Sequence, residues 1–530
     1  MKITDPSSQF ADFKPASPRG EKAGTTAEPY DSVAIGQGLN ERLLLRKPPE
    51  HLTRSILASI ENKGLESAGP FTDSQEKYLA QEFSHPATGV GTFQTGPLFG
   101  VGGTLFPDSA GRINHLALQF GNVEFDKPLP EKTSRALLGV YKTLFTHMHP
   151  DTKFTIVAAD SKGVASLRQT VQESGMEAPG RVNIIDGQAE KGFSIWIRDS
   201  MIPVTGEDGS SKLLIQDRTY WPGPEDSRVP FLIDQGNDNV SSQPHPALRI
   251  DGGNVMSNQD FILVGKDSAD HTTARLQELA RDPQWKKEIT GFYQAKTGKE
   301  VTDGERASLP TQATIKEMWN EIAPLVFESE FQRKVFVICQ DDPATPIHEE
   351  QPAFHIDMAV TPVGNHKFLV GDPGMAIDIL SSISPADRDR VNKNMAAEAG
   401  LSPDADLIGG LIEANQGPAQ QANYDNVAKE LAGKGCEVER IPCLMGQRTT
   451  WSLPYLTYNN CIQENYTDET GSHVKKVYLP VYGCEPLESV AIKTYEDNGY
   501  QVVPLKMAAV SILEGAIRCS SYPIEKEFLS

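Results

Sequence analysis

From about residue 130 onward the sequence alternates short β-rich apolar runs with helix-period stretches, and this alternation limits the fold more than any other feature. In 134–148 (SRALLGVYKTLFTHM), Leu137, Leu138, Tyr141 and Leu144 recur at the three- and four-residue spacing of one helix face. TKFTIVAAD (152–160) reads as a strand, GVASLRQTVQESG (163–175) as a helix closed by its glycine, and RVNIID (181–186) as a second strand. Strands are expected again at 333–340 and 367–373. A helix at 424–435 leads into the strand CEVERIP. VKKVYLPVYG (474–483), PLESVAIKTYEDNGY and QVVPLK then repeat the strand–helix–strand cycle. Repeated units of this kind pack as an α/β fold, not as a helical bundle.

The 530 residues allow about three domains, or one large domain with additions. Residues 1–30, rich in Ser, Pro, Lys and Gly, are expected to be a disordered tail. Residues 31–130 are expected to form an N-terminal extension or small added domain, with a helix inside 41–64 and turns and short strands at 86–106. Residues 131–530 are expected to form the main α/β domain. Lys and Arg number 50 against 71 Asp and Glu, a formal charge of −21 with no basic stripe, which argues against nucleic acid as a partner. No apolar run reaches the ~18 residues of a membrane span, and the start lacks the apolar core of a secretory signal. A cytoplasmic protein is expected, with delivery into a host cell by a bacterial secretion system as the alternative reading of the Ser/Pro-rich start. The six cysteines form no CxxC pair, so neither a disulfide framework nor a zinc ribbon is indicated.

Four segments carry residues with chemistry in reserve. FSIWIRDSMIP (193–203) runs an apolar strand into Arg198 and Asp199; this is either a surface ion pair or a carboxylate at a strand's C-terminal edge, where ligands collect in α/β folds. RIDGGNVMSNQDFILVGKD (249–267) places Asp251 before Gly252–Gly253, a bend that suits glycine backbone angles, and then a strand. It is either a plain hairpin or an opened site. AFHIDMAVTP (353–362) puts His355 and Asp357 two residues apart, on one face if the segment is a strand, with Phe354, Ile356 and Met358 on the other. A polar pair on an apolar strand is costly to bury without partners. EGAIRCSSYPI (514–524) presents Cys519 beside Arg518, either a buried structural cysteine or a thiol whose ionisation the arginine favours.

Taken together and in this order, these segments resemble the guanidine-modifying (pentein) superfamily, which includes arginine, agmatine and peptidyl-arginine deiminases, dimethylarginine hydrolases and amidinotransferases. WIRDSMIP is similar to that family's W-x-R-D-x-G-P, with Met-Ile in place of Gly. DGGN is similar to its acidic-Gly-Gly element, and FHIDM to its H-x-D. LTYNNCIQEN (456–465) resembles its Y-x-N element, and EGAIRCSSYPI its G-G-G-x-H-C-x-T. Around the cysteine the pattern departs further: Arg518 stands where the family has His, Glu514 where it has the first glycine, and Ala516 or Ile517, depending on alignment, where it has the third.

The resemblance implies an α/β-propeller of five ββαβ modules around a pseudo-fivefold axis, with the site in the central channel. It implies Cys519 as nucleophile, His355 as proton donor and then base, and Asp199 and Asp357 as clamps on a flat cation. Asp251, Asn254, Asn460, Trp196 and Arg198 would be the substrate-binding set. The implied reaction hydrolyses arginine, in a peptide or protein, to citrulline and ammonia through a covalent thiouronium. The alternatives are transfer of the amidino group to an amine, or an inactive arginine-binding protein. The partner would be an arginine-containing peptide or protein, or a small guanidino compound, with no nucleic acid and no membrane. No cofactor is implied; calcium stays open but unsupported, because the acidic pairs at 207–208 and 225–226 lack D-x-D-x-D spacing and read as solvated surface.

Overall fold

The computed structural model describes residues 98–124, 127–217, 223–301, 316–446 and 453–528. The expected tail and the expected helix inside 41–64 lie outside the described residues. Within them the chain is an α/β fold in which one unit recurs: two antiparallel strands, a helical crossover, and a third strand parallel to the second.

Ile202–Thr205 and Ser211–Gln216 form the first hairpin, with Val240–His245 parallel to the second strand. Val255–Ser257, Phe261–Gly265 and Lys334–Ile338 repeat the pattern. So do Val360–Pro362, Lys367–Asp372 and Glu437–Leu444, and then Ile462–Thr467, His473–Val481 and Gln501–Lys506. The fifth unit joins the two ends of the described chain. Its C-terminal strand Ser521–Glu527 pairs antiparallel with Arg112–Phe120, which runs parallel to Lys153–Ala158. Arg112–Phe120 is thus a central strand of this sheet. Thr104–Leu105 likewise adds an edge to Ile202–Thr205. The expectation that residues 31–130 form an N-terminal extension or small added domain fails for Thr104–Leu105 and Arg112–Phe120, which take their ladder partners from later parts of the chain; residues 31–97 lie outside the described residues.

Local sequence explains the elements well. Helix Glu131–His147 buries Leu137, Val140, Tyr141, Leu144 and Phe145, while Leu138 sits at the half-buried margin of that face. Each such apolar side chain contributes roughly 1.5–3 kcal/mol when removed from water. Helix Ser161–Ser174 starts where the Asp160 carboxylate accepts the Gly163 N–H and stops at Gly175. Crossover lengths differ widely: one helix, Glu485–Asp497, serves the fourth unit, whereas Pro373–Ser382, Pro385–Ala399, Leu407–Asn415 and Pro418–Gly433 serve the third.

The irregular segments before the strands are less legible. The segments 193–199 and 353–358 are not strands. They end in tight 3₁₀ turns, Ile197–Asp199 and Ile356–Met358, and the strands begin only at Ile202 and Val360. Asp199 therefore precedes a strand instead of ending one. Alternation of apolar and polar residues points to extended chain, but these turns bury apolar and polar side chains alike, at 193–199 and 355–358 throughout. A third such turn, Gly252–Asn254, precedes Val255–Ser257. Bends at 458–460 and 517–520 precede the remaining two hairpins.

Candidate active site

Each of the five hairpins is preceded by one of these turns, and the chemistry-bearing side chains sit on or next to them: Asp199, Asp251, His355 with Asp357, Asn460 and Cys519. The turns pack directly on one another. A Cβ on Gly252 would lie 2.2 Å from the Arg198 carbonyl oxygen, and one on Gly253 would lie 2.4 Å from His355 Nδ1. The two glycines are thus required by close approach, not by their backbone angles, which corrects the bend argument made from sequence.

Cys519 is 4% exposed and rigidly held. Asn460 Oδ1 accepts the backbone N–H groups of Arg518 (3.0 Å) and Cys519 (3.2 Å), and Asn460 Nδ2 lies 3.0 Å from Cys519 Sγ. The Arg198 backbone N–H donates to the Cys519 carbonyl at 3.2 Å, and Arg198 Nε to the Arg518 carbonyl at 2.6 Å. Behind the loop, a Cβ on Gly515 would lie 2.3 Å from the Trp196 ring. Glu514, next to it, takes φ +70°, a left-handed conformation that side chains disfavour. The resembled family places glycine at that position, and the backbone shows why.

His355 Nε2 lies 3.4 Å from Asp251 Oδ2 and 3.8 Å from Asp199 Oδ1. Burial works against protonation of this imidazole, but the Asp199 and Asp251 carboxylates and the Cys519 sulfur outweigh it and hold the pKa well above the ordinary histidine value. The Cys519 thiol is pushed up by burial and by the Asp357 charge, and drawn down by His355. The site at rest therefore pairs a thiol with an imidazolium. The other buried cysteines lack this company: burial pushes Cys443, Cys461 and Cys484 each up to about 12.

Asp357 is fully buried, and its Oδ2 accepts from Arg518 Nη1 at 2.8 Å. Its oxygens stand 3.8 and 4.0 Å from Cys519 Sγ. One half of the expected clamp is thus already bound to a guanidinium of the protein itself. Arg518 also donates from Nε and Nη2 to Asp108, at 3.2 and 3.0 Å, and from Nη2 to the Val255 carbonyl at 2.8 Å.

Of the expected substrate-binding set, Asp251 and Asn460 face His355 and Cys519. The other three brace the frame. Trp196 donates from Nε1 to the Glu124 carboxylate at 3.0 and 3.1 Å. Arg198 holds the cysteine loop and stacks its guanidinium 3.9 Å from the Tyr522 ring centre. Asn254 Oδ1 accepts the Ile356 N–H at 3.0 Å and so fixes the His355 turn. Asp108 was not among the expected residues. It lies in a segment without helical or strand period, and nothing local marks it.

Two donor triads, His355–Asp357–Cys519 and Asp199–Asp251–His355, each bring their ligand atoms within 4.8 Å. They share His355, and Arg518 already supplies positive charge at the first. The acidic pair Glu225–Asp226 is not the solvated surface it was expected to be. Both are buried, with Asp226 accepting from Ser194, Gln119 and Gly223 and Glu225 paired to Arg228, which leaves no calcium loop there. Among the described residues no helix is long and apolar enough to cross a membrane.

No protein-family model and no curated protein matches the sequence. The chain is similar to solved structures of an agmatine deiminase from C. jejuni (11% identity, 80% of this chain and 96% of that one, TM-score 0.45) and of an agmatine deiminase of Enterococcus faecalis (12%, 80% and 97%, 0.44). It is also similar to an amidinotransferase from Microseira wollei (11%, 80% and 98%, 0.35). Overlaps this loose leave substrate and reaction to the chemistry of the site itself.

Proposed function

We propose that the protein is a cysteine-dependent guanidine hydrolase that converts arginine, carried in a peptide or protein, to citrulline and ammonia. The observation that carries this reading is the convergence of one sulfur, one imidazole and three carboxylates, drawn from four of the five turns, in a nearly closed site. A guanidinium is flat, cationic and carries paired N–H donors, which carboxylates grip with defined geometry. Asp199 and Asp251 form the part of the frame beside His355, and Asp357 supports it from beside the sulfur. This revises the simple pairing of Asp199 with Asp357. Five turns meeting at one site also agree with five units set around a pseudo-fivefold axis.

The chemistry follows from the resting charges. The thiol must lose its proton to solvent, because His355 already carries one; the Asp357 charge opposes that loss and the His355 charge favours it. An arriving guanidinium adds positive charge beside Sγ and lowers the thiol pKa further. The thiolate attacks the guanidinium carbon, His355 gives its proton to the departing amine, and ammonia leaves a covalent thiouronium. Neutral His355 then takes a proton from water, whose oxygen bonds to the same carbon; collapse of this adduct breaks the C–S bond, forms the ureido C=O, and passes the adduct's hydroxyl proton to the departing sulfur, which restores the thiol and the imidazolium.

Phe354 supports a chain-borne substrate. It is 38% exposed, one of two large apolar side chains so exposed among the described residues, and its ring lies 4.7 Å from that of His355. It offers a platform for the aliphatic stem of an arginine at the lip of the site.

The test is mass spectrometry of arginine, agmatine and an arginine-containing peptide after incubation. A gain of one mass unit on the peptide, with ammonia released, is the expected result. A peptide left unchanged while agmatine or free arginine turns over would replace the substrate. Loss of the amidino group to an added amine would make the protein a transferase.

A further inference from the structure

Asn460 is expected from sequence to touch the substrate, yet its surroundings give it another task. It is fully buried, and its Oδ1 accepts the backbone N–H groups of Arg518 and Cys519. The oxygen and nitrogen of an amide are alike in shape, but these two donors settle which is which, because a flipped amide would set N–H against N–H. The NH2 group therefore faces Cys519 Sγ, 3.0 Å away. The bend that carries Asn460 is held by two other units and by a helix of its own. The Tyr495 hydroxyl donates to the Tyr458 carbonyl at 2.8 Å, and the Thr361 hydroxyl to the Asn459 carbonyl at 2.6 Å. Asn459 Nδ2 donates to the Leu369 carbonyl at 3.1 Å. A neutral donor is thus fixed against a sulfur 59 residues further along the chain.

A thiol in this position is hard to ionise: burial and the Asp357 charge both oppose the thiolate, and His355 favours it. A hydrogen bond donated to the charged form stabilises that form. The two backbone N–H groups on Oδ1 polarise the Asn460 amide, and a donor in such a chain is strengthened. The cysteine loop's own N–H groups therefore act on the sulfur through Asn460. We propose that Asn460 is a catalytic residue, which donates its Nδ2–H to the Cys519 thiolate and holds the sulfur in the form that attacks. Its oxygen is engaged by the loop and its nitrogen faces the sulfur, so the substrate contact expected from sequence falls to the carboxylates instead. The donor is neutral and keeps its proton at every working pH, whereas His355 loses its charge as pH rises.

The first arm of the test reads the sulfur and needs no substrate. The full chain is alkylated with iodoacetamide across pH, and labelling of the Cys519 peptide is followed by mass spectrometry. Asn460→Ala should raise the pH midpoint and slow labelling below it by at least about tenfold. A residue that only braced the loop predicts the opposite sign: loosening the loop would relieve the burial that holds the thiol up. A midpoint that fell or stayed in place would therefore overturn the proposal. Should Asn460→Ala fail to fold, Asn460→Asp keeps an acceptor for the two backbone N–H groups. Its midpoint should also rise, and a midpoint at or below the parent's would count against the donor. The second arm rests on the guanidine hydrolysis proposed above. Asn460→Ala should lower kcat by about 10²–10³-fold with KM little changed. A raised KM with kcat kept would make Asn460 a substrate contact and overturn the proposal. A parent protein that releases no ammonia from any guanidine would remove the hydrolase reading, and the alkylation midpoints would still decide the role of Asn460.

Discussion

Two clusters in this protein share a single carboxylate and solve opposite problems. Around Cys519 and His355 the carboxylates of Asp199 and Asp251 leave a negative frame that a flat cation would complete. Around Arg518 and Arg198 the protein has supplied its own guanidinium groups, and the carboxylates there, Asp108 and Asp357, are already engaged by Arg518. Asp357 belongs to both: one oxygen is bonded to Arg518, and both stand near the sulfur. Residues adjacent in sequence are divided between the two. Arg198 and Asp199 part company, as do Arg518 and Cys519. The lesson is that a tight turn can place consecutive side chains in different electrostatic environments, one for chemistry and one for support.

The comparison breaks first at the nucleophile. Cys519→Ala should lower turnover by about 10⁴-fold or more while changing stability by less than about 1 kcal/mol, read by ammonia release and by denaturant unfolding. Turnover retained near the parent level would remove the catalytic cluster as described. Arg518→Met should do the reverse in kind. It leaves the buried Asp357 and the half-buried Asp108 without their partner and should cost about 3–5 kcal/mol of stability. A melting profile unchanged by this substitution would show that the supporting cluster supports nothing.

His355→Gln sharpens the division through pH. Turnover should fall by about 10²–10⁴-fold. The pH midpoint for Cys519 alkylation by a neutral reagent, already above the ordinary thiol value, should move higher still, because a nearby positive charge has gone. Asp357→Asn should move that midpoint down. The folded-state pKa of His355 is raised above 6.5, so its charged interaction stabilises the fold fully below about pH 6.5 and is lost as pH rises through the folded value. The stability gap between parent and His355→Gln should therefore be widest in mild acid and narrow on the alkaline side. A gap that widened with pH would reverse the assigned charge of the imidazole. The smallest effect lies at Glu514, whose φ of +70° a glycine would accept without strain. Glu514→Gly should stabilise the protein by roughly 0.5–1 kcal/mol, detectable as a raised unfolding midpoint without loss of turnover.

The regular elements were legible in the sequence because their causes are local. The face of Leu137, Tyr141 and Leu144, the glycine that stops helix Ser161–Ser174, and the apolar runs at 334–338, 367–372 and 501–506 all depend on neighbours within a few residues. The segments WIRD, DGGN, HID and the lone Cys519 stood out as well, since each places costly polar groups in apolar surroundings. Their local shape was misread as strand at 193–199 and 353–358. The turns there are held by Asn254, Arg198 and Gly253 contacts that come from other units.

What only the tertiary structure decided is who keeps company with whom. Asp108, from a stretch expected to stand apart, neutralises Arg518, 410 residues away. Asp357 is shared between a sulfur and an arginine. Trp196, Arg198 and Asn254 turn away from the reacting groups to brace them. Sequence carries the period of a helix or strand within every few residues. The pairing of charges depends on loop closure across hundreds of residues, which no local pattern records.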